Sequence, residues 1–275
     1  MCGPSRPSGC RTVRSSSASI RRPTSSRGTV AVTAEQRLLT IDCGNSTIRV
    51  RRADGAIWTT ASAAPDFDGL EAFVSCVPAP GAEALAVSVV PAALAATRAA
   101  FSALRVPLAV AGEDLACPLA LAYETVDTLG ADRWLGAFAA HLRHGAAVTV
   151  DCGSATTVNV VTADGTFLGG AIAPGLTACV AGMQACTPAL PAASLDADVR
   201  LPGASTQQSV DVGVVLGWVG MVERLVDGMR ERVPDATVVL TGGNARRLLR
   251  HGRLAGEHVP ELLHDGLRAL AARRR

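Results

Sequence analysis

A chain of 275 residues that is 48% hydrophobic, 18% charged and 3% aromatic is long enough for one large domain or two of about 100–150 residues. It is too apolar to be disordered, and its 27 Gly and 15 Pro follow no collagen-like or low-complexity period. All 26 basic residues are Arg, which excludes Schiff-base chemistry, a Lys general base and a Walker-type phosphate loop with its Lys.

The formal charge of +2 is uneven: residues 1–34 hold six Arg and no acid, leaving −4 for the rest. A mildly acidic body is not a nucleic-acid surface. Residues 1–34 lack an apolar h-region, so they are no secretory signal; they read as a disordered or mis-called leader, with Thr33-Ala34-Glu35-Gln36 a plausible opening of the folded body. No run reaches the roughly 20 apolar residues of a membrane helix, since the longest, 85–111, is broken by Pro91, Arg98, Arg105 and Pro107. The eight Cys form no C-x-x-C pair, and Cys43 and Cys152 sit in apolar strand patterns, as reduced thiols of a cytoplasmic protein do.

In chain order, residues 38–50 read as a strand ending in Asp42-Cys43-Gly44, a polar turn and a second β-branched strand, that is, a hairpin with a tight glycine turn. Residues 84–90 read as a buried strand stopped by Pro91, 92–104 as a helix and 106–110 as a short strand. Leu129-Gly130-Ala131-Asp132 opens a helix in which Trp134, Leu135, Phe138 and Leu142 recur at helical spacing. Residues 147–160 repeat the first hairpin with Asp151-Cys152-Gly153-Ser154, 109 residues after Asp42, a domain-scale interval. A segment over 167–175 follows the Gly165 turn. Then come a long helix over 210–232 whose Gly213, Gly217 and Gly220 predict close packing, a strand over 237–240 entering Thr241-Gly242-Gly243-Asn244, a helix, and a closing helix over 260–274. Strands alternating with helices predict an α/β fold with mixed sheets. The repeat predicts two similar domains, 35–146 and 147–275.

The turns carry the chemistry. Gly44 lets the backbone approach an anion closely, and successive N–H groups with the Asn45, Ser46 and Thr47 side chains can wrap phosphate oxygens. Asp42 would hold a hydrated Mg²⁺, which needs only one or two carboxylates, and Arg49 would add the positive charge that no Lys can supply. A second such turn at Asp151, and a flat Gly242-Gly243 surface suited to adenine or ribose, predict a nucleotide held from both sides.

Asp-x-Gly-Asn-Ser, Asp-x-Gly-Ser-Ala and Thr-Gly-Gly, in this order, resemble the phosphate and adenosine motifs of the acetate and sugar kinase, heat-shock chaperone and actin superfamily. Four further segments narrow the resemblance to type III pantothenate kinase: Ser88-Val89-Val90-Pro91, Leu129-Gly130-Ala131-Asp132-Arg133, Gly169-Gly170-Ala171-Ile172-Ala173-Pro174-Gly175 and Thr206-x-x-Ser209. It covers residues 38 to about 272. It implies an actin-like ATPase fold of two RNase-H-like domains with the nucleotide in the interdomain cleft. The implied reaction is ATP-dependent phosphorylation of pantothenate to 4′-phosphopantothenate, the first step of coenzyme A synthesis.

By position, the resemblance makes Asp132 the catalytic base for the pantothenate hydroxyl, kept ionised by its place in the first turn of a helix, with orientation mattering more than basicity. It assigns Asp42, Cys43, Gly44, Asn45, Ser46, Thr47, Ile48, Arg49, Ser154, Gly242 and Gly243 to ATP. Tyr123, Gly130, Ala131, Asp132, Arg133 and Thr206 go to pantothenate, with Arg133 on its carboxylate. Asp151 would hold a monovalent cation, K⁺ or NH₄⁺. It also implies a homodimer in which one subunit covers its neighbour's substrate site. The stretch Glu124-Thr125-Val126-Asp127-Thr128 lacks a Pro that relatives often carry, so that loop is expected to be more mobile.

Two other readings compete: a non-catalytic regulatory or accessory member of the same family, and a superfamily kinase with another acceptor. His141 and His144 are read as partners of a helix C-terminus rather than metal ligands, and His251, His258 and His264 as scattered in a polar region. No Gly-x-Ser-x-Gly elbow and no zinc-type Cys/His cluster is present.

Overall fold

The computed structural model describes residues 33–78 and 81–274. The expected leader therefore lies outside the described residues except at Thr33 and Ala34. Thr33 opens a short helix α1 (Ala34–Arg37) with a capping box: its Oγ1 accepts from Gln36 N at 3.3 Å and the Gln36 side chain accepts from Thr33 N at 2.8 Å.

Strands β1 (Leu38–Cys43), β2 (Thr47–Arg51) and β3 (Ile57–Ala61) form an antiparallel meander. Helix α2 (Leu70–Ser75) leads to β4 (Glu83–Ser88), which pairs parallel with β1. Pro91 takes the first position of α3 (Pro91–Ala103), where its missing N–H costs nothing. β4 therefore ends before 90, earlier than the sequence pattern suggests. β5 (Leu108–Val110) completes a sheet of order β3-β2-β1-β4-β5.

A short β6 (Ala120–Leu121) and a 3-10 turn (Val126–Thr128) precede α4 (Ala131–His144), whose Trp134, Leu135 and Phe138 are buried while Leu142 faces solvent. The second sheet repeats the first. β7 (Ala147–Cys152), β8 (Ala155–Val161) and β9 (Thr166–Pro174) form the meander, and after α5 (Leu176–Cys186) and α6 (Thr206–Arg232), β10 (Thr237–Thr241) pairs parallel with β7. Helix α7 (Ala245–His251) and β11 (Glu257–His258) follow, and α8 (Leu262–Arg273) closes the chain. The order is β11-β10-β7-β8-β9-β6. Apart from β6, it is the same arrangement as in the first sheet, with the strand that ends in Asp-Cys-Gly at the centre of each.

Helices α4 and α8 lie between the sheets. Trp134, Leu135, Phe138, Leu262, Leu267 and Leu270 share one core with Leu38, Leu85 and Val87 of the first sheet and Val161 and Phe167 of the second. α2 and α3 cover the far face of the first sheet, and α5, α6 and α7 that of the second.

α6 starts at Thr206 rather than 210, because Ser205 Oγ accepts from Gln208 N at 3.2 Å and caps it. The close packing expected at Gly213, Gly217 and Gly220 is not found among the described residues. All three are exposed, and a Cβ added at any of them would meet nothing within 4 Å.

Candidate active site

The two central strands deliver equivalent residues to one end of the molecule. Alternation sends Cys43 and Cys152 into the cores and their neighbours Asp42 and Asp151 to the opposite faces. Cys43 Sγ meets Thr97 Oγ1 at 3.6 Å. Burial pushes Cys43 up to about 11 and Cys152 up to about 12, so both are neutral packing thiols. Cys43 can therefore offer a ligand only its backbone.

Gly44 N donates to Thr47 O at 3.0 Å to close the first turn, and Ser62 Oγ donates to Gly44 O at 2.6 Å. The second turn is packed under Gly175, where a Cβ would lie 2.3 Å from Ser154 O. The third turn leans on the second: Asn244 N donates to Cys152 O at 3.0 Å, and a Cβ on Gly242, at φ +83°, would lie 2.3 Å from Asp151 Oδ1. Gly243 faces open space.

All three turns line one cleft of about 630 Å³, together with Asp132, Arg49 and Thr157. Ser46 Oγ and Ser154 Oγ meet at 2.8 Å between the first and second turns. The cleft thus gathers Asp42, Gly44, Asn45, Ser46, Thr47, Arg49, Asp132, Asp151, Ser154, Gly242 and Gly243. Ile48 does not join them, since it is fully buried in the first core.

The floor of the cleft is acidic. Burial raises Asp42 to about 7, with Arg49 pulling down and Asp132 and Glu261 pushing up. Burial also raises Asp151 to about 7, helped by the charges of Asp42 and Asp132. Asp132 is raised as well, chiefly by burial. Burial thus opposes the helix start that was expected to keep it ionised. Asp132 Oδ1 accepts from Arg133 N at 2.8 Å, but desolvation outweighs that bond and the Arg133 charge. Gly130 leaves room for it, because a Cβ there would lie 2.6 Å from Asp132 Oδ1 and the carboxylate would have to shift.

Behind Asp132, Arg133 is buried among β8 and the Tyr123 ring. Its Nε donates to Asn159 Oδ1 at 2.8 Å, its Nη1 to Tyr123 OH at 3.3 Å, and its Nη2 has no partner. Tyr123, Gly130, Ala131 and Arg133 sit beside the cleft rather than in its lining, and Thr206 is exposed at the start of α6, outside it.

Sequence reasoning missed Glu261 and His264. Glu261 Oε1 accepts from Arg49 Nη2 at 2.7 Å. His264 is not in a polar region: it is 1% exposed, its Nδ1 lies 2.9 Å from Thr40 Oγ1, and burial with Arg49, Arg51 and Arg268 holds it down to about 3. Its signal was its place one turn before Leu267 and two before Ala271 on the buried stripe of α8. His141 Nδ1 lies 3.0 Å from Gly145 O at the end of α4, whereas His144 Nε2 is 2.8 Å from the Glu257 carboxylate rather than at the helix end. Among the described residues no cluster of three or more His, Cys, Asp or Glu is arranged to cage a metal, and no helix is long and apolar enough to cross a membrane.

A sequence model of type III pantothenate kinase matches residues 38–228. The chain belongs to that family. Relatives of this family member include the type III pantothenate kinase of Nitratidesulfovibrio vulgaris (strain DP4), 37% identical over 170 residues, covering 60% of this chain and 64% of the relative. That of Rhodococcus jostii (strain RHA1) is 36% identical over 151 residues, covering 53% and 56%. The chain thus spans less than two thirds of the length of these curated relatives. Among solved structures, a protein named as a Baf family transcriptional activator from Campylobacter jejuni superposes with a TM-score of 0.57 at 19% identity, covering 86% of this chain and 98% of the other. That likeness concerns the fold alone. In this family member the doubled strand order gives the α/β fold with two mixed sheets that the motifs imply.

Proposed function

We propose that the chain is a pantothenate kinase, transferring the γ-phosphoryl group of ATP to the terminal hydroxyl of pantothenate. The observation that carries this reading is the convergence of both Asp-Cys-Gly turns, the Gly242 turn and Asp132 on one cleft, on a chain of this family.

The turn amides and the Ser46 and Ser154 hydroxyls take phosphate oxygens. Gly243 offers a side-chain-free surface to the adenosine. Asp132 accepts the hydroxyl proton as the new P–O bond forms and the bond to the departing ADP oxygen breaks. Its burial makes it a better base than a free Asp. Arg133 pairs with the pantothenate carboxylate through its unpartnered Nη2.

Two deep carboxylates raised to about 7 are under-compensated negative charge, which suits cations. Asp42 would hold a hydrated Mg²⁺ and Asp151 a K⁺ or NH₄⁺, in keeping with a donor set too small to cage a divalent ion. Such ions supply neutralisation of the phosphate charge.

The reading extends to a homodimer in the cytoplasm. α5 buries only Leu176, leaving Met183 36% exposed, and Ile172 and Leu201 are 65% and 74% exposed. These exposed apolar side chains and the open glycine stripe of α6 are suited to contacts with a second copy, from which Thr206 would reach the neighbour's substrate. We also infer that 35–146 and 147–275 act as two lobes closing on the nucleotide.

The test is ADP release by the full chain with and without pantothenate, with mass detection of the phosphorylated product. Pantothenate-dependent release supports the reading. ATP consumption only with another acceptor, or none at all, contradicts it and leaves the regulatory alternative.

A further inference from the structure

We infer that Asn159 is a positioning residue for substrate, setting the Arg133 guanidinium through a buried hydrogen bond in a space that Gly169 and Gly170 keep open. The inference rests on the reading of Arg133 as the carboxylate-binding residue.

Four observations meet at this guanidinium. Asn159, on β8, is 3% exposed, and its Oδ1 accepts from Arg133 Nε at 2.8 Å. Its Nδ2 donates to Thr157 Oγ1 at 3.4 Å, so the amide is oriented with its acceptor toward the Arg. Tyr123 holds a second side of the guanidinium: its OH accepts from Nη1 at 3.3 Å, and Arg133 Cζ lies 5.7 Å from the ring centroid. Nη2 remains, buried without a partner. Arg133 forms no ion pair among the described residues.

The glycine doublet explains why both holders fit. Gly170 is the register partner of Asn159 on β9. A Cβ there would lie 2.0 Å from Val158 O, 2.7 Å from Asn159 Cα and 2.9 Å from Asn159 Oδ1. Gly169, at φ +102°, would put a Cβ 3.3 Å from the Tyr123 ring. The first two residues of the Gly-Gly-Ala-Ile-Ala-Pro-Gly segment thus make room for the two side chains that grip Arg133, and its last, Gly175, packs under the Ser154 turn.

The physical consequence is directional. A guanidinium fixed at Nε and Nη1 presents its remaining edge in one orientation, so less freedom is lost when a planar carboxylate arrives. Without the Asn159 acceptor the guanidinium turns freely about its last torsions, and the buried Nε is left unpaired. Asn159 acts before the chemical step and touches neither the phosphates nor the reacting hydroxyl.

The test is steady-state kinetics of the full chain carrying Asn159→Ala. The KM for pantothenate rises about tenfold or more, the size expected for loss of a hydrogen bond to a charged group, while kcat and the KM for ATP stay within about threefold. With the analogue in which the pantothenate carboxylate is reduced to a neutral alcohol, Asn159→Ala and the parent have equal KM. In an Arg133→Ala background, Asn159→Ala adds no further rise. Should the alanine variant not fold, Asn159→Ser, which keeps a short polar group on β8, is read in the same assay with the same expectation. An unchanged pantothenate KM overturns the inference, as does an equal rise for the neutral analogue or a parallel rise for ATP. An unmutated chain that does not turn over pantothenate overturns the functional reading and this inference together. A chain that does so, with Asn159→Ala indistinguishable from it, overturns this inference alone.

Discussion

Ser46 and Ser154, 108 residues apart, place their hydroxyl oxygens 2.8 Å from each other at the point where the two glycine turns meet. Each hydroxyl donates one proton, so in this contact one donates to the other and the second proton is left over. A phosphate oxygen entering between them accepts from both. Ser46→Ala and Ser154→Ala are each expected to weaken ATP binding about tenfold, on ~1.5 kcal/mol for a hydrogen bond to a charged acceptor. The double variant loses less than the sum, because the pair acts on one group. Nucleotide titration checks this, with thermal melting expected to move little, since the serines are exposed.

The acidic floor makes ligand-free stability depend on pH. Asp151, raised to about 7, binds more protons folded than unfolded between pH 4 and 7. Its contribution to stability therefore declines as pH rises through that window. His264, held down to about 3, has the opposite sign: its contribution is present above about pH 6.5 and is lost as pH falls. Comparing Asp151→Asn with the parent isolates the first effect. The variant is expected to melt higher at pH 8, by ~2–4 °C for each kcal/mol of relieved desolvation, and the gap closes toward pH 4. Calorimetry across that range measures it.

Neighbouring glycines in the third turn have opposite tolerances. Gly242→Ala forces a Cβ to within 2.3 Å of Asp151 Oδ1 and 2.7 Å of Cys152 C at φ +83°, and should cost several kcal/mol or abolish folding. Gly243→Ala meets nothing within 4 Å and should change stability by less than ~0.5 kcal/mol. Denaturant unfolding of the two variants decides it.

The exposed face of α5 predicts a change in assembly. Met183→Asp combined with Ile172→Asp should convert the proposed dimer to a monomer, because a charge buried at an apolar interface has no partner. Light scattering reads the mass directly, and an unmutated chain that is monomeric at high concentration contradicts the proposed assembly.

The doubled hairpin was legible because Asp-Cys-Gly interrupts two β-branched runs at matching places. The alternation that buries Ile48 and Val50 while turning Thr47 and Arg49 outward was present in the sequence, but the motif resemblance carried Ile48 to the ATP site and the structure returns it to the core. The start of α6 had its signal in Ser205 and Gln208, three residues apart. Glu261 had none of this kind, and the stripe of α8 marked His264 as buried without naming its partner. Their partners Arg49 and Thr40 lie 212 and 224 residues away in sequence, and only the packing of α8 across β1 brings them together. α5 escaped notice because an apolar helix with one buried residue has no two-sided pattern. Asn159 lay in a strand where Val158 and Val160 are buried, and nothing in the alternation separates a buried Asn from an outward one.

The most direct test of the central claim is Asp132→Asn, measured for nucleotide binding and for pantothenate-dependent ADP release on the same sample. An amide cannot take the hydroxyl proton, so turnover is expected to fall about a hundredfold or more, while the fold and ATP affinity are kept. Turnover within a few-fold of the parent would contradict the placement of Asp132 at the reacting hydroxyl.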